Sequence, residues 1–357
     1  MTYLIRLYWF FKEDIFAIPG RTVAFVFFSF LLVFPIFTTN DYLLRLVTFT
    51  LLFALFSASW DFLYGFTGQL NLGPALFWGV SAYTAALLNV HLGFPPWVTI
   101  PTGAFTAMIG GLVACLPALR LRGLFLGLVT LALPLILSAI IVSFPDFTGG
   151  DIGIYGVAPL LSGIIYNYYL IFLIVVGFLL LLWKLTDARS KIFRTGIMFI
   201  AIREDEISAR RAGVNTTFYK AAAFAISAFS AGIAGSLYVH TIGIAGISTL
   251  ELMFSFNAIV WSIFGGVSTI YGAVTGVFIL YPLVDLLSAY PVGEQIRFVI
   301  QSLLLIFVLL FMPQGISTWV RDHIEEECPR CKLVNYTRRK YCRACNGLLH
   351  GEEGKRY

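Results

Sequence analysis

The sequence predicts an all-α membrane protein, a polytopic bundle of about ten transmembrane helices followed by a small cysteine-rich tail. Hydrophobic residues make up 59% of the 357 residues and charged residues only 12%, whereas a soluble domain carries about 25% charged residues. The mean hydropathy is +0.86. Apolar runs near the roughly 20 residues that cross a bilayer recur along the chain. They lack the strict alternation of barrel strands, so the predicted spans are helices.

The predicted spans follow one another closely along the chain. The eighth and ninth are joined by glycine-rich sequence, which leaves a break or a re-entrant turn open. Charges interrupt residues 1–21, which argues against a cleaved signal and favours a segment lying along the inner membrane surface. A transmembrane domain at 22–316 and a tail at 321–357 follow. The ten spans are 22–37, 42–64, 69–90, 97–118, 123–143, 166–185, 217–240, 253–269, 272–290 and 295–312.

The distribution of basic residues orients the chain. With the N-terminus inside, only Arg45 and Arg297 of the 24 Lys and Arg residues fall near the outer face. Cytoplasmic loops carry such an excess of Lys and Arg, so both termini are predicted to lie in the cytoplasm. The plasma (inner) membrane is the predicted location of the chain. The net charge of +5 follows from this topology and implies no nucleic-acid partner. The basic tail could contact anionic membrane lipid.

The segment from Ile200 to Gly213 concentrates charge within an otherwise apolar sequence. A bilayer accepts such charges only at high cost, so the segment must lie in water between two spans. Glu206 precedes Arg210 by four residues, which favours an ion pair, and Gly213 suits a left-handed helix end. We expect a short charged helix, which is either a grip for a soluble partner or an ordinary solvated loop. Its charged residues are Arg203, Glu204, Asp205, Glu206, Arg210 and Arg211.

A segment rich in glycine begins at Gly65, after the second predicted span. Glycines allow close helix packing or a helix break, and an unwound stretch would turn backbone and amide groups toward a cavity. Similar patterns recur at 224–235 and 263–276, where helix packing alone is the better explanation. In the first segment we expect part of a polar translocation path. Its assigned residues are Gly68, Gln69, Asn71 and Gly73.

The five cysteines divide into one and four. Cys115 lies alone in an apolar span and is predicted to be a packing residue. The others form two CxxC pairs, and such pairs can present four thiolates to a tetrahedral zinc ion. A disulfide pair or unrelated thiols are the alternatives, but a cytoplasmic location disfavours disulfides. The predicted zinc ligands are Cys328, Cys331, Cys342 and Cys345.

The sequence offers little for catalysis. It contains neither a GxxxxGK[ST] phosphate loop nor an HExxH motif, so the chain is not expected to bind ATP in the Walker manner by itself. Its four histidines have no partners at catalytic spacing. Asp61 lies near the inner end of the second span, and Asp285 lies in the ninth, where a carrier would keep a carboxylate for its coupling ion. The chain is predicted not to be an enzyme.

Several motifs occur in the order typical of one family. The sequence GQLNLGPALFWGVSAYTAALL begins at Gly68 and LRLRGLFLGLVTLAL at Leu119. They are followed by FTGGDIGIYGV from Phe147 and AIREDEISARRAG from Ala201, and then by FGGVSTIYGAVTG and FMPQGI. The chain between about residues 40 and 316 therefore resembles the permease subunits of branched-chain amino-acid ABC importers. Pro74 stands where members of this family commonly have a histidine. The cysteine-rich tail lies outside the family pattern.

The resemblance implies a function in transport. In such importers a cytoplasmic coupling helix docks on an ATPase subunit, which here implies contacts by Arg203, Glu204, Asp205 and Glu206. The spacing from Glu206 to Gly213 is one residue longer than in the related loop of other ABC importers. Two ATPase subunits, a second homologous permease and an extracytoplasmic solute-binding protein are the implied partners. A stand-alone secondary carrier and a membrane scaffold that signals through the zinc tail remain as alternatives.

Overall fold

The computed structural model describes residues 19–38, 40–118, 121, 123–187, 195–288, 294–328, 330, 334–336, 341–342, 345 and 347–349. The predicted interfacial segment at the N-terminus lies almost entirely outside these residues, as does Cys331. The chain divides into two compact units. The larger unit is Asn40–Gly315, and the smaller one combines the described parts of Met1–Thr39 and Ile316–Tyr357.

The described part of the chain is mostly helical, with four short strands. The helices before residue 190 are α1 (Pro19–Phe37), α2 (Asp41–Thr67), α3 (Ala75–Leu92), α4 (Pro96–Ala118), α5 (Leu124–Ser143), α6 (Pro145–Thr148) and α7 (Ile164–Thr186). The later helices are α8 (Thr195–Glu204), α9 (Glu206–Arg211), α10 (Thr216–Ile242), α11 (Leu252–Gly265), α12 (Ile270–Ser288), α13 (Glu294–Phe311) and α14 (Ile316–Ile324). The strands are β1 (Ile154–Tyr155), β2 (Ile244–Ala245), β3 (Glu325–Glu327) and β4 (Val334–Tyr336).

Helices occupy all ten predicted spans. Seven of the described helices are long and apolar enough to cross a membrane: α2, α3, α4, α5, α7, α10 and α12. The other three predicted spans hold shorter apolar helices, at Thr22–Phe37, Leu252–Gly265 and Val299–Val308. The glycine-rich junction of the eighth and ninth spans is a break, because α11 ends at Gly265 and α12 begins at Ile270.

The two longest helices, α2 and α10, have well-defined ends. Asn40 caps α2 by accepting a hydrogen bond from the Tyr42 amide at 3.0 Å, and Gly68 ends it with φ of 71°. Asn215 caps α10 by accepting from the Phe218 amide at 3.1 Å. Side-chain caps and left-handed glycines satisfy backbone groups that a helix leaves unpaired. Both 27-residue helices therefore end at positions that the local sequence specifies.

Small residues bring α10 close to its neighbours α3 and α4. A side chain at Gly232 would place its Cβ 2.7 Å from the Ala107 Cβ, and one at Gly235 would lie 2.6 Å from the Trp78 carbonyl oxygen. The hydroxyls of Ser81 and Ser236 are hydrogen bonded at 2.9 Å across the same contact. Small residues and buried hydroxyls are typical of helix contacts in membranes, where no hydrophobic force drives helices together.

Aromatic rings fill the centre of the larger unit. The ring of Phe53 lies 5.6 Å from that of Trp78, 5.4 Å from that of Trp261 and 4.8 Å from that of Tyr281, measured between centroids. Such pairs contribute about 0.5–1.5 kcal/mol beyond the apolar area that they bury. The rings join α2, α3, α11 and α12 into one packed centre.

A short antiparallel pair of strands, β1 and β2, lies at the end of α10 away from the charged segment, with Ile154 opposite Ala245. His240 contacts the Thr99 hydroxyl and the Ala158 carbonyl oxygen through its two ring nitrogens, each at 2.7 Å. His91 stacks on Phe147 with centroids 5.5 Å apart. These contacts give both histidines a structural role.

Candidate functional site

The charged segment forms two helices and not the single helix that its spacing predicts. Helix α8 ends at Glu204, and α9 begins at Glu206. Between them Asp205 is extended, with φ of −154° and ψ of 104°. Its carboxylate accepts hydrogen bonds from the Ile207 amide at 2.8 Å and the Ser208 amide at 3.2 Å. The chain breaks here because the side chain of an aspartate can cap the start of a second helix, which competes with continuation of the first helix.

The hydrogen bonds at this cap also set the ionisation of Asp205. The Ser208 hydroxyl donates to the carboxylate at 2.5 Å. This bond, with those from the Ser208 and Ile207 amides, holds the pKa of the Asp205 carboxyl below its ordinary value. At the other end of α9, Gly213 has the predicted left-handed conformation, with φ of 87°. The segment is thus ordered by local backbone chemistry at both ends.

Glu206 fastens α9 to α10. Its carboxylate pairs with Arg210 at 2.9 Å, as the four-residue spacing predicts, and with Lys220 at 2.7 Å. The side chains of Glu206 and Lys220 are only 14% and 9% exposed. An ion pair shielded from water in this way is weakened less by salt than a surface pair is. The pair with Lys220, which the sequence did not point to, holds the segment against the transmembrane bundle.

Arg203 fastens α8 to two further elements. Its Nη1 donates to the Gly65 carbonyl oxygen in α2 at 2.6 Å and to the Ser268 hydroxyl at 2.8 Å. Ser268 lies in the turn between α11 and α12. The other guanidinium nitrogen, Nη2, pairs with Glu204 at 2.8 Å. Of the four predicted partner contacts, Arg203 and Glu206 therefore bind within the chain, and Asp205 caps a helix.

The outward side of the charged segment is formed by different side chains. Glu204 is 67% exposed and Arg210 62% exposed, and the apolar Ile207 between them is also exposed. This mixture of charged and apolar groups is what a soluble partner could bind. The inward side holds Arg203 and Glu206.

The segment between α2 and α3 is unwound, as the glycines predict. Gly68 begins it. A Cβ at this position would lie 3.1 Å from the Cγ of Arg203, so the absence of a side chain there allows Arg203 to pack closely. A Cβ at Gly73 would overlap the Thr130 carbonyl oxygen. These two glycines therefore serve close packing at their positions.

The two amides of the unwound segment are buried. Gln69 donates to the Thr67 hydroxyl at 3.0 Å, and Asn71 accepts from the Gly73 amide at 2.9 Å. The Trp60 indole donates to the Asn71 carbonyl oxygen at 2.6 Å. The Asn71 side chain thus stabilises the unwound backbone, while Gln69 lies at the wall of a cavity.

That cavity lies between the charged segment and the start of α5. Its volume is about 190 Å³. Its wall contains both apolar and ionised groups. The three charged side chains are Arg203, Glu206 and Lys220, which form the hydrogen bonds and ion pairs described above. The lining residues are Thr67, Gly68, Gln69, Leu121, Gly123, Leu126, Ile202, Arg203, Glu206 and Lys220.

The C-terminal tail brings three of the four predicted zinc ligands together. The sulfur atoms of Cys328, Cys342 and Cys345 all lie within 4.8 Å of one another, and those of Cys328 and Cys345 are 3.5 Å apart. Sulfurs bound tetrahedrally at about 2.3 Å from one zinc ion would be roughly 3.8 Å apart. Cys331, the fourth predicted ligand, lies outside the described residues. The cluster could therefore bind a metal ion.

The backbone around the cysteines forms a small β structure. Strands β3 and β4 pair antiparallel, with Glu326 opposite Asn335, and Tyr341 forms a bridge with Leu348. The Cys342 amide donates to the Gly347 carbonyl oxygen at 2.9 Å. Among the described residues of the tail, Cys328, Cys342 and Leu349 form a buried cluster. So small a cluster cannot stabilise a domain alone, which fits folding around a metal ion.

Comparison with known proteins identifies the family. A family model described as the permease component of the branched-chain amino acid transport system matches residues 42–309. The high-affinity branched-chain amino acid transport system permease protein LivM of Escherichia coli is 27% identical over 317 residues, which cover 81% of this chain and 72% of that protein. LivM of Salmonella typhimurium is 27% identical over 314 residues, or 80% of this chain and 72% of that protein.

The permease protein LivH of Salmonella typhimurium is 35% identical over 123 residues, which cover 34% of this chain and 39% of that protein. The matched region contains the unwound segment, both charged helices and the turn that holds Ser268, but neither α1 nor the cysteine-rich tail. The resemblance seen in the motifs is confirmed. The chain is an integral membrane protein and belongs to the family of permease components of branched-chain amino acid transport systems.

Proposed function

We propose that this chain is the transmembrane permease subunit of an ABC importer and forms half of the translocation path for branched-chain or related amino acids. Two separate ATPase subunits would supply ATP hydrolysis. The observation that carries the proposal is the form of the segment 200–213, which exposes Glu204, Ile207 and Arg210 while its other side is fastened to α2 and α10. A surface of this kind can accept a partner and transmit its movement.

The other partners follow from the same proposal. A second, related permease chain would complete the path, either as a heterodimer or as a second copy, and an extracytoplasmic binding protein would deliver the solute. ATP-driven closure of the two ATPases would bring the coupling segments together and shift the permease pair between inward- and outward-facing packing. Both termini would lie in the cytoplasm, as the excess of basic residues on that side favours.

The test is gentle purification of the tagged full chain from its native membrane. We expect two ATPase chains and a second permease in stoichiometric amounts. Recovery of the chain alone, or only with copies of itself, would instead favour a stand-alone carrier. In that case Asp285, whose carboxylate accepts a hydrogen bond from the Tyr42 hydroxyl at 2.6 Å, would be the first residue to change.

We also propose that the tail binds one zinc ion through Cys328, Cys331, Cys342 and Cys345. The observation behind this is the approach of three thiols to within 4.8 Å in a tail whose described residues bury only the small cluster of Cys328, Cys342 and Leu349. Zinc would order the tail and take no part in transport.

Elemental analysis of the purified chain tests the zinc proposal. We expect about one zinc per chain, and Cys328→Ser should lower the zinc content severalfold, because one thiolate of a four-ligand site is lost. Cys115→Ser is the matched control and should leave the zinc content unchanged. Deletion after Arg321 should remove the zinc yet leave solute uptake measurable. A loss of uptake on that deletion would favour the scaffold alternative.

A further inference from the structure

A hydrogen-bonded network joins the charged segment, at its exposed end, to the buried interior of the larger unit. Its first member is Arg203, at the C-terminal end of α8, whose Nη1 donates to the Gly65 carbonyl oxygen and to the Ser268 hydroxyl. The Ser268 hydroxyl also contacts the Gly65 carbonyl oxygen, at 2.8 Å. One cation thus contacts two elements that are distant in sequence: α2, and the turn between α11 and α12.

The network continues to a carboxylate inside α2. Asp61 is fully buried, and its Oδ1 accepts a hydrogen bond from the Ser268 amide at 2.8 Å. Asp61 and Gly65 lie one helical turn apart on α2, so this helix holds Ser268 by both its backbone amide and its hydroxyl. A buried carboxylate costs free energy unless it is paired and hydrogen bonded. Burying Asp61 would therefore be unfavourable if its only role were to hold the turn.

The backbone at Ser268 is also unusual. Its φ is 66°, the only positive value for a residue other than glycine in the described part of the chain. A non-glycine residue in this region is uncommon, and strain of this kind persists where the surroundings impose it. Here the hydrogen bonds that Ser268 donates to Asp61 and Gly65, and the one it accepts from Arg203, provide those surroundings.

Gly65 closes the network sterically. A Cβ at this position would lie 2.5 Å from the Asp61 Oδ1 and 2.7 Å from the Ser268 amide nitrogen. Even alanine would therefore push the turn away from α2. By contrast, Gly177 in α7 has no atom within 4 Å of the corresponding position, so it provides a matched control.

We infer that Arg203, Gly65, Ser268 and Asp61 form the mechanical link by which the charged segment moves α2 and the α11–α12 turn together. This inference rests on the proposed function and assigns Arg203 as a positioning residue, not as an ATPase contact. All three of its guanidinium nitrogens bind within the chain: Nη1 donates to Gly65 and Ser268, and Nε and Nη2 donate to Glu204. A planar guanidinium presents its donors in a rigid fork that can hold several such partners in fixed directions, which the rotatable donors of an ammonium or the single NH2 group of an amide cannot do.

The first test of the link does not require the solute. In the purified complex, hydrogen–deuterium exchange would be compared before and after ATP and vanadate trap the ATPase subunits. In the unaltered complex we expect exchange to change both in residues 195–213 and in residues 266–269. In Arg203→Gln the change should persist in 195–213 and disappear from 266–269, with the ATPase subunits still recovered in full. A response at 266–269 in Arg203→Gln, or none there in the unaltered complex, overturns the link.

Recovery of the partners separates this inference from the proposed function. Absence of ATPase subunits from the unaltered chain overturns the proposed function itself. Their loss only from Arg203→Gln means that Arg203 is an ATPase contact, which overturns the link and leaves the importer intact.

Two further variants guard against general damage. Ser268→Gly suits the positive φ but lacks the hydroxyl, and Gly65→Ala displaces the turn, so both should abolish the response at 266–269 with the chain still folded. Uptake of labelled leucine by complex-containing vesicles should fall about tenfold or more in each, equivalent to about 1.4 kcal/mol. Gly177→Ala should match the unaltered chain.

The double variant tests whether the two residues act in one network. Adding Gly65→Ala to Arg203→Gln should lower uptake little further, since the effects of residues in one network are not additive. Additive losses of uptake would overturn the link.

Discussion

The centre of the bundle and the charged segment of the same unit are held together in opposite ways. Around Phe53 and along α10 the chain is packed with aromatic rings, glycines and serines, and residues such as Gly232 leave no space for a larger side chain. The segment 195–213 also buries Phe199 and Ile202, but its part from residue 203 onward is held mainly by a few directed contacts, made by Arg203, Asp205 and Glu206.

The difference has a consequence for movement. Close-packed interiors respond to change as rigid bodies and are not continuously deformable. Each hydrogen bond, by contrast, contributes a net stability of only about 0.5–1.5 kcal/mol, or about 1.5–3 kcal/mol when one partner is charged. The packed helices are therefore suited to move as blocks, and the charged segment to be shifted against them by a partner.

The largest effect should come from enlarging a packed glycine. We predict that Gly232→Leu destabilises the bundle by about 3 kcal/mol or more, since overpacking a tight contact forces neighbouring backbones apart. The yield and the thermal stability of the purified chain measure this. Gly177→Leu, on an exposed part of α7, is the control and should have little effect. Equal stability of the two variants would mean that α10 and α4 are not closely packed.

A smaller effect is expected for the ion pair that fastens α9 to α10. Glu206→Lys places a third cation beside Lys220 and Arg210. We predict that the free energy that holds α9 against α10 falls by about 3 kcal/mol, as for other shielded pairs that lose one partner. Solute uptake should then be abolished at normal expression, with the bundle still folded. Glu204→Lys reverses an exposed charge and is the comparison for surface effects alone. Uptake that survives Glu206→Lys would contradict the role of this segment in coupling.

The smallest effect concerns the helix cap. Because the folded state lowers the pKa of Asp205, its contribution is present above the unfolded pKa of about 3.9 and is lost only as pH falls through the lower folded value. Amide exchange of residues 206–211 should therefore show constant protection of α9 from pH 5 to pH 8, once the pH dependence of the intrinsic exchange rate is corrected for.

The cap itself can be separated from its charge. Asp205→Asn keeps a capping acceptor and should preserve that protection, whereas Asp205→Ala should lower it. Equal protection in both variants would show that α9 is held by Glu206 alone.

Local chemistry made much of this structure predictable. Long apolar runs specify helices wherever a bilayer is the solvent, since every backbone group must be paired within the span. The same holds for Gly213, for the pair of Glu206 with Arg210 and for the clustering of cysteines, because each depends on residues close in sequence. The break at Asp205 was missed since capping and helix continuation compete within a few residues.

Long-range contacts could not be predicted in this way. Nothing in the spacing of Arg203, Gly65 and Ser268 indicates that they meet, because the link joins residues 65 and 268 across 203 positions. The pairing of Glu206 with Lys220 depends likewise on how α10 packs. The available signal was the acidic residue Asp61 inside a predicted span, since a charge at that depth needs a partner.

By itself, then, the sequence determined the membrane class, the order of the apolar helices, the family and the grouping of the cysteines. These follow from composition, local spacing and ordered motifs. The tertiary structure alone decided which charged side chains face a partner and which bind inward. The physical reason is that the direction of a side chain on a short helix depends on the elements packed against it, and those come from distant parts of the chain.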